Sequence, residues 1–169
     1  DVSSFVTAFF GIIAAGLVPV PLAPPAQAGD LDTFTRQSSH IIEASRAAAV
    51  ITTAEVAAIF RDTPLAQTTR AVSPTFHELG TLLDHGTPLA APVPLPPEAT
   101  ALIQFTSGST ALPKGVVLSH ANITANVRAI LGPSGLDARP GDVAVSWLPL
   151  YHDMGLIGML LSSLYAPAD

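Results

Sequence analysis

The apolar run at the amino terminus limits what this chain can fold into. From Val2 to Ala28 no residue carries a charge, but Gly16 and four prolines between Pro19 and Pro25 interrupt the run. A helix can therefore extend only from about Ser4 to Ala15, whereas a membrane-spanning helix needs about 20 apolar residues. The segment predicts a short buried helix, followed by an extended segment at 18–22 and a loop.

A cleaved secretory leader is an alternative interpretation of the same segment. Ala26-Gln27-Ala28 fits an A-x-A cleavage site, but a leader also needs positive charge before its apolar part, and the first basic residue is Arg36. The chain begins at Asp1 and stops at Asp169 inside an apolar pattern. We interpret both ends as cuts, so residues before Asp1 could carry the missing charge.

Helical and strand patterns alternate in the first third of the chain. A second helix is predicted from about Asp32 to Ala47, a buried strand at Ala49–Thr52 and a short helix at Ala54–Phe60. This order favours an α/β fold with a mostly parallel sheet and crossover helices. Residues 1–62 therefore form an early α/β segment.

Residues 63–99 have a weaker pattern and contain seven prolines. We predict an irregular connector there, which is stiffest at Thr87–Pro97. Residues 100–169 form a third segment, which carries the candidate chemistry. Its predicted elements are short apolar strands and helices: strands Ala101–Phe105, Val116–Leu118 and Val143–Leu148, a helix Ala121–Leu131 capped by Ser119, and an apolar helix Met154–Tyr165.

Composition excludes several classes of function. The formal net charge is -6 and the basic residues are scattered, which argues against binding to nucleic acid. There is no cysteine, so disulfides and thiolate metal sites are excluded, and a cytoplasmic location is favoured. The five histidines lack HExxH spacing, which argues against zinc. Charged residues make up only 12%, against roughly 25% in typical domains, so much of the surface is expected to contact other protein.

A loop rich in hydroxyl groups follows the strand Ala101–Phe105. Its ten residues, 106–115, contain four hydroxyl side chains, a central glycine and a lysine: Thr106, Ser107, Gly108, Ser109, Thr110 and Lys114. Hydroxyls and open backbone N–H groups can donate to phosphate oxygens, and lysine adds a positive charge. The loop lacks the G-K-[ST] ending of a Walker A loop and the glycines of a nucleophile elbow. An ordinary Ser/Thr-rich turn remains the alternative.

This loop resembles the phosphate-loop signature of the adenylate-forming (AMP-dependent synthetase/ligase) superfamily. The similarity covers Gln104–Gly115 and continues through Val116–Asn122. Ser146–Gly158, with its Trp, His-Asp and Met-Gly-Leu, is most like the fatty acyl-AMP ligase branch. Ala8–Gly16 and Pro19–Pro21 resemble an early motif of the same proteins. The resemblance identifies the chain as an incomplete N-terminal adenylation domain.

The resemblance implies an activity, its substrates and its partners. The enzyme would bind ATP, Mg²⁺ and a fatty acid, and release pyrophosphate as it forms acyl-AMP. Thr106, Ser107, Gly108, Ser109, Thr110 and Lys114 would hold the ATP phosphates. The acyl group would then pass to an acyl carrier protein, or to a polyketide synthase that contains one.

Three further residues of the Ser146–Gly158 motif are interpreted singly. The resemblance places His152 near the acyl-phosphate junction as the candidate catalytic residue, with helix capping as the alternative. Asp153 is predicted to be a helix N-cap. Trp147 is predicted to be core or tunnel wall. Outside this motif, His120 is predicted to have a structural role.

Some family features are missing or altered. Many members carry Gly where this chain has Ala111. The adenine-binding motif, the Mg²⁺-binding glutamate, the mobile C-terminal domain and the insertion typical of acyl-AMP ligases are all expected after Asp169. The chain alone is therefore expected to be inactive. An acyl-CoA synthetase and a non-catalytic truncated remnant remain alternative interpretations.

Overall fold

The computed structural model describes residues 1–25, 31–60, 74–106 and 112–165. Helices and short strands alternate along the chain: α1 Val2–Ala14, α2 Leu31–Ser45, β1 Ala49–Thr52, α3 Ala54–Phe60, β2 Thr75–Glu78, α4 Leu79–His85, β3 Thr100–Phe105, β4 Gly115–Ser119, α5 His120–Leu131, a π-helix Met154–Leu161 and α6 Ser162–Tyr165. The predicted α/β class is confirmed. In these four ranges, no helix is both long and apolar enough to cross a membrane.

The short helix that the interrupted apolar run predicts is formed as α1, but it is not buried as a whole, since Phe9 is its one buried residue. It begins at Val2 because the Asp1 carboxylate accepts a hydrogen bond from the Ser4 N–H at 2.8 Å. After its end, Gly16 takes a positive φ of 72°, a conformation that costs glycine little. Phe9 is the residue through which α1 enters the core.

Strands β1 and β2 form a parallel pair in which Ala49 lies opposite Thr75. Parallel strands need a long connection, and the crossover between them includes α3. Strand β2 and helix α4 both lie inside the predicted irregular connector 63–99, so that part of the prediction was wrong. The segment was missed because β2 has a single apolar residue, Phe76, and depends on pairing with β1. Thr87–Pro97 forms neither helix nor strand, as predicted.

Strands β3 and β4 form an antiparallel pair, with Phe105 opposite Gly115. The prediction was a mostly parallel sheet, and this pair departs from it for a simple reason. Only nine residues, 106–114, connect the two strands, which is too few for the crossover that parallel pairing requires.

Two apolar clusters stabilise these elements. The first joins α1, β3, α5 and the π-helix through Phe9, Leu102, Val127, Leu156 and Ile157. The second joins α2 and α3 through Phe34, Ile42 and Phe60, with Phe76 of β2 stacked on Phe60 at a centroid distance of 5.6 Å. The candidate site lies next to the first cluster, because β3, α5 and the π-helix contribute residues to both.

The predicted apolar helix Met154–Tyr165 is helical, but most of it has π geometry. Its first turn packs closely on the preceding loop: a Cβ on Gly155 would collide with the Pro149 carbonyl oxygen. Ser162 Oγ donates to the Ile157 carbonyl, five residues earlier, at 3.0 Å. A side chain larger than glycine at position 155 would separate the helix from the turn before it.

The predicted strand Val143–Leu148 is not formed. No described residue pairs with this segment, and Val143 and Trp147 are each 89% exposed. The interpretation of Trp147 as core is therefore wrong within this chain. The alternating apolar pattern is present, but a strand forms only when a neighbouring strand supplies its hydrogen bonds.

Candidate functional site

The base of the predicted phosphate loop is closed by Thr106 and Lys114. The Thr106 N–H donates to the Lys114 carbonyl oxygen at 3.0 Å, and Thr106 Oγ1 donates to the same oxygen at 3.4 Å. The longer hydroxyl bond is weak, so the hydroxyl could turn towards a ligand at little cost. Ser107, Gly108, Ser109 and Thr110, the other predicted phosphate-binding residues, lie outside the described residues.

The Lys114 side chain is exposed, and its ammonium group has no ion-pair partner in the described part of the chain. An unpaired lysine beside a hydroxyl group is a suitable contact for an anionic ligand, because neither group must first break a salt bridge. The structure therefore brings two of the predicted phosphate-binding residues together with their charge and donor capacity available.

Helix α2 contacts the β3–β4 hairpin, called here the phosphate hairpin because it carries Thr106 and Lys114, through His40. The His40 Nε2 lies 2.9 Å from the carbonyl oxygen of Pro113, the residue before Lys114. Since a carbonyl only accepts, the imidazole must donate from Nε2. His40 was not singled out from the sequence, because 73 residues separate it from Pro113 and no local motif marks it.

The turn before the π-helix presents His152. The His152 N–H donates to the Pro149 carbonyl at 3.2 Å, and the His152 carbonyl accepts from Leu156 N–H at 2.8 Å. The imidazole is exposed and lies 4.7 Å from the Tyr151 ring, centroid to centroid. Asp153 Oδ1 accepts from Met154 N–H at 2.7 Å, so the predicted N-cap is confirmed.

A side-chain hydrogen bond connects this turn to the strand that leads into the phosphate loop. Gln104 of β3 donates from Nε2 to the Tyr151 carbonyl at 2.9 Å. The two residues are 47 positions apart. Gln104 was noted from the sequence only as the start of a motif, and nothing local indicated this contact.

The hairpin and the turn border one cleft of about 790 Å³. Thr106, His152 and Asp153 contribute polar groups, and Asn122 and Asn126 of α5 add amides. The remaining wall is apolar and includes Phe105, Leu118, Ile123, Ile130, Met154 and Ile157. A cleft of this kind suits a ligand with a polar group and an apolar part.

The AMP-binding enzyme family matches residues 2–168 of this chain. The chain belongs to that family. The resemblance noted in the phosphate loop, the His152 motif and the early helix thus extends over almost the whole sequence.

Individual relatives and a solved structure show the same similarity. A long-chain-fatty-acid–AMP ligase of Mycobacterium marinum, FadD26, is 39% identical over 90% of this chain and 26% of its own length. A Caulobacter vibrioides protein provisionally named an acyl-CoA synthetase is 39% identical over 95% of this chain and 27% of its own. The structure of a fatty acyl-adenylate ligase from L. pneumophila, in complex with acyl adenylate and pyrophosphate, is similar to this chain with a TM-score of 0.70. It is 31% identical and covers 96% of this chain and 26% of its own. The chain spans about a quarter of the length of these proteins.

Proposed function

We propose that the protein containing this chain activates a fatty acid with ATP, forming acyl-AMP and releasing pyrophosphate. The observation that carries the proposal is the shared cleft: Thr106, at the start of the phosphate loop, and His152 line the same apolar-walled space. The acyl adenylate and pyrophosphate named for the L. pneumophila relative are the two products of this reaction.

In this reaction a carboxylate oxygen of the fatty acid attacks the α-phosphorus of ATP. The bond from the α-phosphorus to the bridging oxygen breaks, and pyrophosphate leaves with the electron pair. Thr106 and Lys114, with Ser107, Gly108, Ser109 and Thr110, would hold the β- and γ-phosphates. The protein's contribution is to position the reactants and to stabilise the charge that develops on pyrophosphate.

Mg²⁺ would neutralise part of the triphosphate charge. The described residues contain no group of three His, Asp or Glu side chains that could hold a metal ion. The resemblance places the Mg²⁺-binding glutamate after Asp169, so that residue and the ATP phosphates would hold the ion.

His152 would donate a hydrogen bond to the carboxylate or to the α-phosphate near the acyl-phosphate junction. Its exposed imidazole lines the same cleft as the apolar wall that includes Met154 and Ile157. The fatty acid would place its carboxylate at His152 and its alkyl chain along that wall.

The acyl group would pass from acyl-AMP to an acyl carrier protein, and the enzyme would act in the cytoplasm. Transfer to coenzyme A is the second candidate, and the Caulobacter relative favours it. We expect the 169-residue chain alone to be inactive, because it covers only 26–27% of the length of these relatives.

The test is fatty-acid-dependent exchange of labelled pyrophosphate into ATP by the full-length protein that contains this chain, across a series of fatty-acid chain lengths. Exchange with fatty acids, and its loss without them, is the expected result. Absence of exchange at every chain length would contradict adenylation and favour a non-catalytic remnant. Offering a carrier protein and coenzyme A separately to the formed acyl-AMP distinguishes the two acceptors.

A further inference from the structure

Gln104 is a polar residue in an otherwise apolar part of β3, and it is nearly buried, with 7% of its surface exposed. Its Nε2 donates to the Tyr151 carbonyl, which can only accept. The amide must therefore present its NH₂ group to the turn, and Oε1 must face the other way.

Gln104 Oε1 is buried and has no hydrogen-bond partner among the residues that the structure describes. An unpaired buried acceptor is unfavourable, and this cost offsets much of what the bond to Tyr151 contributes. An apolar side chain of similar size would avoid it. The Gln104 amide therefore adds little to the stability of the fold. What it does provide is a fixed position for the Tyr151 carbonyl.

That position matters because each end of the contact adjoins a site residue. Gln104 precedes Thr106 by two residues on the strand that enters the phosphate hairpin, and Tyr151 precedes His152 directly. Thr106 and His152 line the same cleft. We propose that Gln104 is a positioning residue, which holds the His152 turn at the correct distance from the phosphate hairpin. This inference rests on the proposed function.

Two substitutions in the full-length protein test it. Gln104→Leu keeps the bulk but has no donor, so the His152 turn should shift, and a displacement of about 1 Å can lower the rate up to about 100-fold. We expect kcat for adenylation to fall between about 10- and 100-fold. KM for ATP should change little, because the hairpin contacts at Thr106 and Lys114 remain. Gln37→Leu, the same replacement on α2 and outside the cleft lining, is the matched control and should leave kcat unchanged.

Gln104→Glu gives a signature that a merely structural role would not produce. A carboxylic acid can donate to the Tyr151 carbonyl, whereas a carboxylate would repel it. Burial and the facing carbonyl raise the pKa of such a carboxyl group. The donor is thus present below that pKa and is lost as pH rises through it. The activity of Gln104→Glu relative to wild type should increase as pH falls, while the ratio for Gln104→Leu should stay flat.

Hydrogen exchange provides a readout that does not depend on activity. Backbone amides in 150–156, including those of His152 and Leu156, should exchange about two- to tenfold faster in Gln104→Leu than in wild type. Wild-type kcat and unchanged exchange in Gln104→Leu would overturn the proposal, and so would parallel pH profiles for Gln104→Glu and wild type. If wild type itself forms no acyl-AMP, the proposed function fails, and the exchange measurement alone decides whether Gln104 positions the turn.

Discussion

Replacing His40 with alanine should weaken ATP binding through its effect on the phosphate hairpin, not through a contact between His40 and ATP. The imidazole holds the Pro113 carbonyl from α2 at 2.9 Å, and Lys114 follows Pro113 directly. In His40→Ala that carbonyl loses its protein partner, and the hairpin is free to move its lysine away from the phosphates.

The magnitude follows from one neutral hydrogen bond. Such a bond contributes a net of about 0.5–1.5 kcal/mol, and about 1.4 kcal/mol corresponds to a tenfold change in an equilibrium constant. If the whole effect acts on the position of Lys114, KM for ATP should rise between about 2- and 13-fold. The free energy of unfolding should fall by no more than about 1.5 kcal/mol.

The assay is pyrophosphate exchange by the full-length protein at varied ATP, with urea unfolding in parallel. His40→Gln restores a donor on a side chain of similar reach and should recover part of the affinity. His85→Ala, at the exposed end of α4, is the control for removal of a histidine. An ATP KM within twofold of wild type in His40→Ala would show that the contact does not position Lys114.

Three further predictions follow from described residues. Thr106→Ala should lower the adenylation rate about 100- to 1,000-fold, since one donor to the developing charge is removed; a loss below about threefold would exclude that role. Ser119→Ala should lower the free energy of unfolding by about 1 kcal/mol in urea titrations, because Ser119 and Asn122 form a capping box, whereas the exposed Ser134→Ala should be neutral. The 169-residue chain expressed alone should self-associate in analytical ultracentrifugation through three side chains that are 82–89% exposed: Val143, Val145 and Trp147. Replacing Val145 and Trp147 with Glu should reduce this association. A wild-type chain that stays monomeric at high concentration would show that this surface does not drive association.

Local sequence signals predicted the elements whose stability is local. Strand β1 and helix α3 have the predicted bounds, because a short apolar β-branched run and a compact helical pattern adjoin each other there. Helix α5 begins one residue before its predicted start. The prediction was this close because the capping residue, Ser119, can be identified from the sequence.

Elements that depend on a distant partner were not predictable in the same way. Strand β2 forms because β1 lies beside it, and its four residues carry too little pattern on their own. The segment 143–148 shows the opposite case: its alternation is typical of a strand, but nothing in the described structure pairs with it. The same physical fact, that backbone groups need partners, explains both errors.

The candidate site divides along the same line. The phosphate loop and the His152 motif could be proposed from the sequence because contiguous residue types carry the chemistry. Their supporting contacts were not found, because Gln104–Tyr151 spans 47 residues and His40–Pro113 spans 73. A single sequence lists the groups that could act on a ligand but not which distant side chains hold them in place.

Strand β3 is the element to which both the phosphate hairpin and the His152 turn are attached. Its Ile103 N–H donates to the Pro19 carbonyl at 3.1 Å, so the extended segment after α1 is held against it while β4 pairs with it. Leu102, which is fully buried, fixes the strand in the apolar cluster formed with Leu156. Two residues further along on the same face, Gln104 donates to the Tyr151 carbonyl of the His152 turn, and the strand then ends at Phe105, directly before Thr106, where the phosphate hairpin begins. The phosphate hairpin and the His152 turn, which must meet one ligand, are thus both positioned by the same buried strand. A change that displaces β3 should therefore disturb the phosphate hairpin and the His152 turn together, whereas a change at Gln104 should disturb only the turn.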